Sequence, residues 1–293
     1  MKVGFVSIVG RPNAGKSTLI NSIIGSKVAI VSDKAHTTRN NIQGIYNDDD
    51  SQIIFIDTPG IHKPMHKLGK YMNSQSYYSI EDTNVILFMV DATEKIGKGD
   101  KFILEKLKEV DSNVFLVLNK VDRIKKENLF PMIEEYNKLF DFKEIIPISA
   151  LKKDNIDDLI KTIKKYLDEG ERYYSEDYYT DKSINFMVSE IVREKVLNLT
   201  HEEVPHAVTC VLEKYEEEKN CIHINVLIIV EREGIKRILV GHSGSMIKEI
   251  GIEARKDIEE LVGKKVYLEL FVKTVNNWRE KDKYLAEFGF NNE

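Results

Sequence analysis

Four short runs in this 293-residue chain carry residue types, at spacings, that can handle a nucleotide. The first is Gly10-Arg11-Pro12-Asn13-Ala14-Gly15-Lys16-Ser17, followed by Thr18, which matches the phosphate-loop pattern G-x-x-x-x-G-K-[ST]. Glycines at these places let consecutive backbone N–H groups turn inward around a β-phosphate, and a following helix start adds a favourable dipole. The Lys16 ammonium would bridge β- and γ-oxygens and the Ser17 hydroxyl would reach Mg²⁺. The context is right, because a strand-like run precedes the loop and a helix-like run, Ser17–Ile24, follows it.

The second run is Asp57-Thr58-Pro59-Gly60, directly after apolar Ile53–Ile56. A carboxylate at a strand end can hold Mg²⁺, and a glycine N–H can approach a γ-phosphate because no Cβ stands in the way. The third, Asn119-Lys120-Val121-Asp122, selects the base. Asp122 can accept both the N1–H and the 2-amino hydrogens of guanine, whereas adenine would leave it unpaired, a distinction worth a factor of about 10⁴–10⁵ in other buried polar sites. GTP rather than ATP is therefore expected. Asn119 would tie this loop to the base and the phosphate loop, and the Lys120 stem would pack along the ring. The fourth, Ser149-Ala150, falls where a backbone N–H should meet the guanine O6.

These motifs need a scaffold. Before about Gly170, apolar runs at Gly4–Val9, Ile53–Asp57, Val85–Asp91, Asn113–Asn119 and Ile145–Ile148 alternate with amphipathic stretches such as Lys101–Val110 and Ile156–Leu167. That alternation predicts an α/β domain with a doubly wound, mostly parallel sheet over residues 1–170. A polar, aromatic stretch at 171–183 reads as a linker after a helix ending near Gly170. Residues 184–293 then give the order α-β-β-α-α-β, a compact α+β domain: a helix over Ile184–Leu199, strands at His206–Tyr215 and Cys221–Glu231, a helical pair from Gly244 to Val262, and a strand at Lys265–Val272.

Composition bounds the rest. With 42% hydrophobic and 31% charged residues the chain can build two cores, and no apolar run approaches the ~20 residues of a membrane span. The opening MKVGFVSIVG leaves no room for a signal core, so the mature chain is expected to begin here. Cys210 and Cys221 read as reduced thiols, with Cys221 close to a hairpin turn near Glu216–Asn220 and Cys210 on the order of 15 Å up the other strand, and the seven His show no metal-ligand spacing, so no structural zinc is expected. From Glu171 onward 18 Lys and Arg stand against 24 Asp and Glu, a balance of −6. Any nucleic-acid site must be a local basic patch on an acidic body.

The four nucleotide motifs, in that order and each at a strand end, resemble the translation-factor-related GTPases. That resemblance implies a mobile switch at Lys34-Ala35-His36-Thr37-Thr38-Arg39, with one Thr closing on Mg²⁺ and the γ-phosphate. Thr38 is carried as the metal ligand beside Ser17 and Asp57, and the choice between Thr37 and Thr38 stays open. Lys16, Thr37, Thr38 and Gly60 form the catalytic set. Many of these GTPases place a water-orienting Gln after the second motif, but here Ile61 and His62 follow, which implies very slow intrinsic hydrolysis. Asn13 either ligates K⁺, as in related GTPases with Asn at this place, or only fixes the loop.

In the second domain, Gly241-His242-Ser243-Gly244 resembles the G-x-x-G loop of a KH domain of the second topological type, which clamps single-stranded backbone. Lys236, Arg237, Lys248, Arg255 and Lys256 could supply the local patch. Together with DTPGIHKP, the KAHTTR switch, the YYTD linker, IVREKVL, EVPH and IGIEARKDIE, these features identify the chain as similar to the Era family of bacterial GTPases along nearly its whole length. Ser175 stands where relatives often carry Pro. The resemblance implies a cytoplasmic GTP-controlled factor that binds the 3′ end of 16S rRNA and assists maturation of the 30S subunit, with peripheral membrane association and no DNA ligand. The rival is a GTP-dependent protein-docking switch without RNA, which the −6 balance supports.

Overall fold

Runs such as Ile53–Ile56 and Val85–Val90 are buried along their whole length, which only a sheet covered on both faces allows. In this computed structural model, which describes residues 1–34 and 36–291, they lie in the first of two units. The strands are β1 (Lys2–Gly10), β2 (Ile42–Asn47), β3 (Ser51–Asp57), β4 (Val85–Asp91), β5 (Asn113–Asn119) and β6 (Glu144–Pro147), in the sheet order β2-β3-β1-β4-β5-β6. Every neighbouring pair is parallel except β2 on β3, and a two-residue β7 (Asp168–Glu169) adds antiparallel to β1. Helices α1 (Lys16–Ile24), α2 (Lys67–Tyr78), α3 (Lys98–Leu107), α4 (Leu129–Asn137) and α5 (Ile156–Lys164) connect them. One buried cluster joins Ile103, Leu104 and Leu107 of α3 to Ile86, Phe88 and Val90 of β4 and Leu116 and Leu118 of β5.

The second unit has a three-stranded sheet, β10 (Lys265–Thr274) parallel to β9 (Cys221–Val230), which is antiparallel to β8 (Val208–Glu217). Helices α6 (Ile184–Leu199), α7 (Glu233–Val240) and α8 (Ser245–Val262) supply Val188, Val192, Leu239, Ile250 and Ala254 to its core, against Ile224, Val226 and Ile228 of the central strand. A short α9 (Asp282–Glu287) closes the chain, beside the buried Trp278.

Several local expectations change. The helical pair is α7 before the glycine loop and one continuous α8 after it, because Gly241 and Gly244 both take positive φ and break the run between them. Helix α5 stops at Lys164 and β7 intervenes before Gly170. The stretch at 171–183 is no free tether over its first part, since the Gln52 side chain accepts from the N–H groups of Tyr173 and Tyr174 and donates to the Tyr174 carbonyl. Two segments, Ile30–Thr37 and Met65–Tyr71, cluster with the second unit although the flanking chain belongs to the first. Among the described residues no helix is long and apolar enough to cross a membrane.

Candidate functional site

The phosphate loop runs from the end of β1 into α1, whose first-turn N–H groups at Lys16, Ser17 and Thr18 precede the first helical bond, Leu19 N–H to Gly15 C=O at 2.9 Å. Among the described residues these donors have no backbone partner, and with the helix dipole they suit an anion. The Lys16 ammonium, 6% exposed, donates to the Arg11 carbonyl at 3.1 Å and the Gly10 carbonyl at 3.4 Å. Burial lowers its pKa, against the pull of Asp57. The Arg11 side chain does not join the site. It pairs with Glu94 at 2.9 Å and Asp100 at 3.4 Å, so only its backbone remains for a phosphate.

Three oxygens from three elements meet beside the loop. The Ser17 hydroxyl donates to Asp57 Oδ2 at 2.6 Å, Thr38 Oγ1 lies 3.2 Å from the same oxygen, and Ser17 and Thr38 are 2.9 Å apart. Asp57 Oδ1 is buried and has no hydrogen-bond partner among the described residues. Burial pushes the Asp57 carboxyl up, while Lys16, Ser17 and Thr38 pull it down. A hard divalent cation fits this all-oxygen set and would give the orphaned oxygen a partner, directly or through water. The structure separates the two threonines: the Thr37 hydroxyl donates to its own Lys34 carbonyl at 2.7 Å and is not a member of the oxygen cluster. The Thr37 hydroxyl, expected in the catalytic set, is thus engaged within its own loop, and Thr38 is the threonine beside Asp57.

Gly60 packs so tightly that a Cβ there would lie 2.8 Å from Pro12 N and Pro12 Cγ, which places the Pro59-Gly60 turn against the phosphate loop. Thr58 is spent structurally, its hydroxyl donating to the Ile8 carbonyl at 2.7 Å. Ile61 is 2% exposed and packs in the core, so no polar group follows Gly60 immediately.

At the base end, Asn119 Nδ2 donates to the Ala14 carbonyl at 2.8 Å and Asn119 Oδ1 accepts from the Ala150 N–H at 3.0 Å, joining three loops through one side chain. The Lys120 ammonium reaches Asp91 at 2.5 Å and the Asn13 carbonyl at 2.9 Å. Asp122 Oδ1 accepts from the Ser149 hydroxyl at 2.6 Å, which fixes the carboxylate at an exposed position. One expectation changes: the Ala150 N–H is given to Asn119, and the Ser149 N–H to Asp154, so both serve loop anchoring here rather than standing open for a guanine oxygen.

In the second unit, Gly241 (φ 73°) ends α7 and Gly244 (φ 77°) starts α8, with His242 and Ser243 exposed between them. A Cβ on Gly241 would sit 2.8 Å from the Met246 N, so the loop needs glycine there. Arg237, Lys248 and Arg255 are exposed and Lys236 half-buried, and no ion pair holds any of the four among the described residues; Lys256 is taken by Glu253 at 2.7 Å. Ile238 and Ile252 are 55% and 42% exposed on α7 and α8. A search for charge passes over them; the signal that finds them is an apolar side chain on the outward face of each amphipathic helix, away from Ile235 and Leu239 of α7 and Ile250, Ala254 and Ile258 of α8.

The family of 50S ribosome-binding GTPases matches residues 5–120, and the KH domain family matches residues 203–279. A crystal structure of an Aquifex aeolicus Era variant bound to GDP·AlF₄⁻ is 44% identical, with all of both chains covered and a TM-score of 0.96. The structure of Era in complex with MgGDPNP and nucleotides 1506–1542 of 16S ribosomal RNA is 44% identical over the same full coverage, with a TM-score of 0.97. This chain belongs to the Era family. It is a GTPase with a P-loop nucleotide domain and a KH domain.

Two residues of the IVREKVL run, Arg193 and Glu194, reach the segment that precedes Thr38. Arg193 of α6 is 1% exposed and grips Glu190 with two hydrogen bonds, at 2.7 and 2.5 Å, while its Nη2 also donates to the Thr37 carbonyl at 2.5 Å. Glu194, the next residue, accepts from the Val31 N–H at 2.9 Å. Ile30 enters the core of the second unit. The segment preceding Thr38 is thus held by α6.

Proposed function

We propose that this Era-family chain is a Mg²⁺-dependent GTP switch that binds the 3′ end of 16S rRNA through its glycine loop and assists maturation of the 30S subunit, working in the cytoplasm, with any membrane contact peripheral. The observation that carries the reading is the full-length likeness to Era in complex with MgGDPNP and nucleotides 1506–1542 of 16S RNA, on a chain that keeps Gly241 and Gly244 at positive φ between α7 and α8. Ser17, Asp57 and Thr38 would hold Mg²⁺, which neutralises charge on the β- and γ-phosphates when bound. Lys16 would sit on the same oxygens, its lowered pKa recovering as it meets phosphate.

Hydrolysis on this reading is slow, since the side chain after Gly60 is buried Ile61 and no carboxamide follows it. A partner, the backbone or a K⁺ ion near Asn13 then has to place the water, and equal turnover in K⁺ and Na⁺ buffers would remove the cation. Switching is supported by chain continuity. Thr38 carries the hydroxyl near Asp57 in the first unit, while its neighbour Thr37 is held by Arg193 in the second. Capture of Thr38 by metal and γ-phosphate would bias what α6 holds one peptide bond away, with a coupling typically of about 1–3 kcal/mol, and RNA would reciprocally favour GTP.

The test is binding of the full chain to short RNAs copied from the 3′ end of 16S rRNA and to scrambled controls, across a salt series. Selective binding supports the reading. Binding indifferent to sequence, with intact GTP binding, favours the protein-docking switch. The pair His242→Asp and Ser243→Asp sharpens the choice, because negative charge at the loop should abolish contact with a phosphate backbone.

A further inference from the structure

The turn that carries Gly60 is gripped from one helix. Asn73 of α2 donates through Nδ2 to the His62 carbonyl at 2.7 Å and accepts from the His62 N–H at 3.3 Å. One turn further along α2, the hydroxyl of Ser76, a fully buried residue, donates to the Pro59 carbonyl at 2.8 Å. Pro59 C=O and Gly60 N–H belong to the same peptide group, which is trans and planar, so the two point in opposite directions. Fixing the carbonyl toward α2 fixes the Gly60 N–H away from it.

Ser76 has a second acceptor within reach. The Met72 carbonyl, one helical turn back, lies 3.0 Å from the same Oγ, the usual back-bond of a helical serine. The hydroxyl has one proton, and either acceptor satisfies it. A buried donor that can swing between the turn and its own helix can hold Pro59 or release it without ever being left unpaired, which is what a reversible latch needs. The Ser76 carbonyl is itself held, accepting from the Ser79 hydroxyl at 2.8 Å, and Ser7 of β1 donates to Ser79 at 3.2 Å. The latch is therefore anchored to the central strand through buried hydroxyls.

We propose that Ser76 is a positioning residue for GTP recognition: its hydroxyl, bonded to Pro59, aims the Gly60 N–H for the γ-phosphate, and it returns to Met72 when the turn lets go. This rests on the reading of Gly60 as the γ-phosphate sensor. The prediction concerns a ratio. In the full chain, Ser76→Ala should lower affinity for a non-hydrolysable GTP analogue with Mg²⁺ by about tenfold, the scale of one lost hydrogen bond to a buried group, while GDP affinity stays within about twofold. The near-isosteric Ser76→Cys, a weaker donor, should shift the ratio in the same direction by less, and carries the test if the alanine variant folds poorly. Gly60→Ala is measured alongside. If Gly60→Ala loses the analogue preference and Ser76→Ala keeps it, or weakens both nucleotides equally, Ser76 has no positioning role. If Gly60→Ala keeps the preference, the sensor reading fails and the latch fails with it.

Discussion

Replacing Arg193 by Met perturbs the second unit at a point where charge, burial and the switch segment meet. The guanidinium is 1% exposed and its partner Glu190 14%, so neither has enough water to replace the other. Truncating one member of such a pair leaves an uncompensated buried charge, which costs about 3–5 kcal/mol. Against a domain stability of about 5–15 kcal/mol that is severe but survivable. The double change Arg193→Met with Glu190→Met removes the orphaned carboxylate as well, leaving only the Thr37 carbonyl without its donor, about 1–3 kcal/mol. The double variant should therefore be more stable than the single one by about 2 kcal/mol, the difference between these two estimates. Trp278 is the sole tryptophan, is fully buried in this unit and donates to the Ala207 carbonyl at 3.2 Å, so urea unfolding followed by its fluorescence reports this unit and not the other. With a slope of about 1.5 kcal/mol per molar urea, the single change should lower the midpoint by about 2–3 M. A single variant that loses under about 1 kcal/mol, or a double variant as unstable as the single, would refute the buried-charge argument.

Asn119→Ala should leave the Ala14 carbonyl and the Ala150 N–H unpaired, at about 1–3 kcal/mol each, and weaken GDP binding at least a hundredfold in titration calorimetry. Burial pushes the Asp91 carboxyl up, but hydrogen bonds from Lys120 and Thr93 outweigh it and hold it below its ordinary range. Because the folded value is depressed, the stability it contributes is present above the unfolded value of about 4 and lost as pH falls through the folded one. The stability gap between the wild-type chain and Asp91→Asn, read by urea melts, should be full at pH 7 and shrink in acid. Removing Mg²⁺ with a chelator should weaken the GTP analogue more than GDP, and Asp57→Asn should abolish that difference, as measured by fluorescent-nucleotide titration.

Motifs whose chemistry is local could be read from the chain directly. The phosphate loop, the Asp57 to Gly60 turn and the Asn119 to Asp122 run each place their groups within a few residues of a strand end, and the structure brings Ser17, Asp57 and Thr38 within hydrogen-bond distance of one another. What escaped is what depends on partners far away in sequence. The sequence around Thr37 does not tell it from Thr38; the choice follows from Asp57, 19 residues further on, which takes the Thr38 hydroxyl. Arg11 has the charge for a phosphate, but Glu94 and Asp100 claim it from α3 and the loop before it. Strand β2 is not legible as an apolar run because Gln43 and Gly44 interrupt Ile42, Ile45 and Tyr46, and at the sheet edge one face need not be apolar. Ser76 and Arg193 look like ordinary helix residues until the carbonyls they reach, Pro59 and Thr37, are known.

The most direct test of the account is the affinity of the full chain for an RNA copied from the 3′ end of 16S rRNA, measured at one salt concentration with GDP and then with a GTP analogue. A coupled switch predicts tighter binding with the analogue by about 5–150-fold, matched by an equal RNA-induced gain in analogue affinity over GDP. Equal RNA affinity in the two nucleotide states would contradict it.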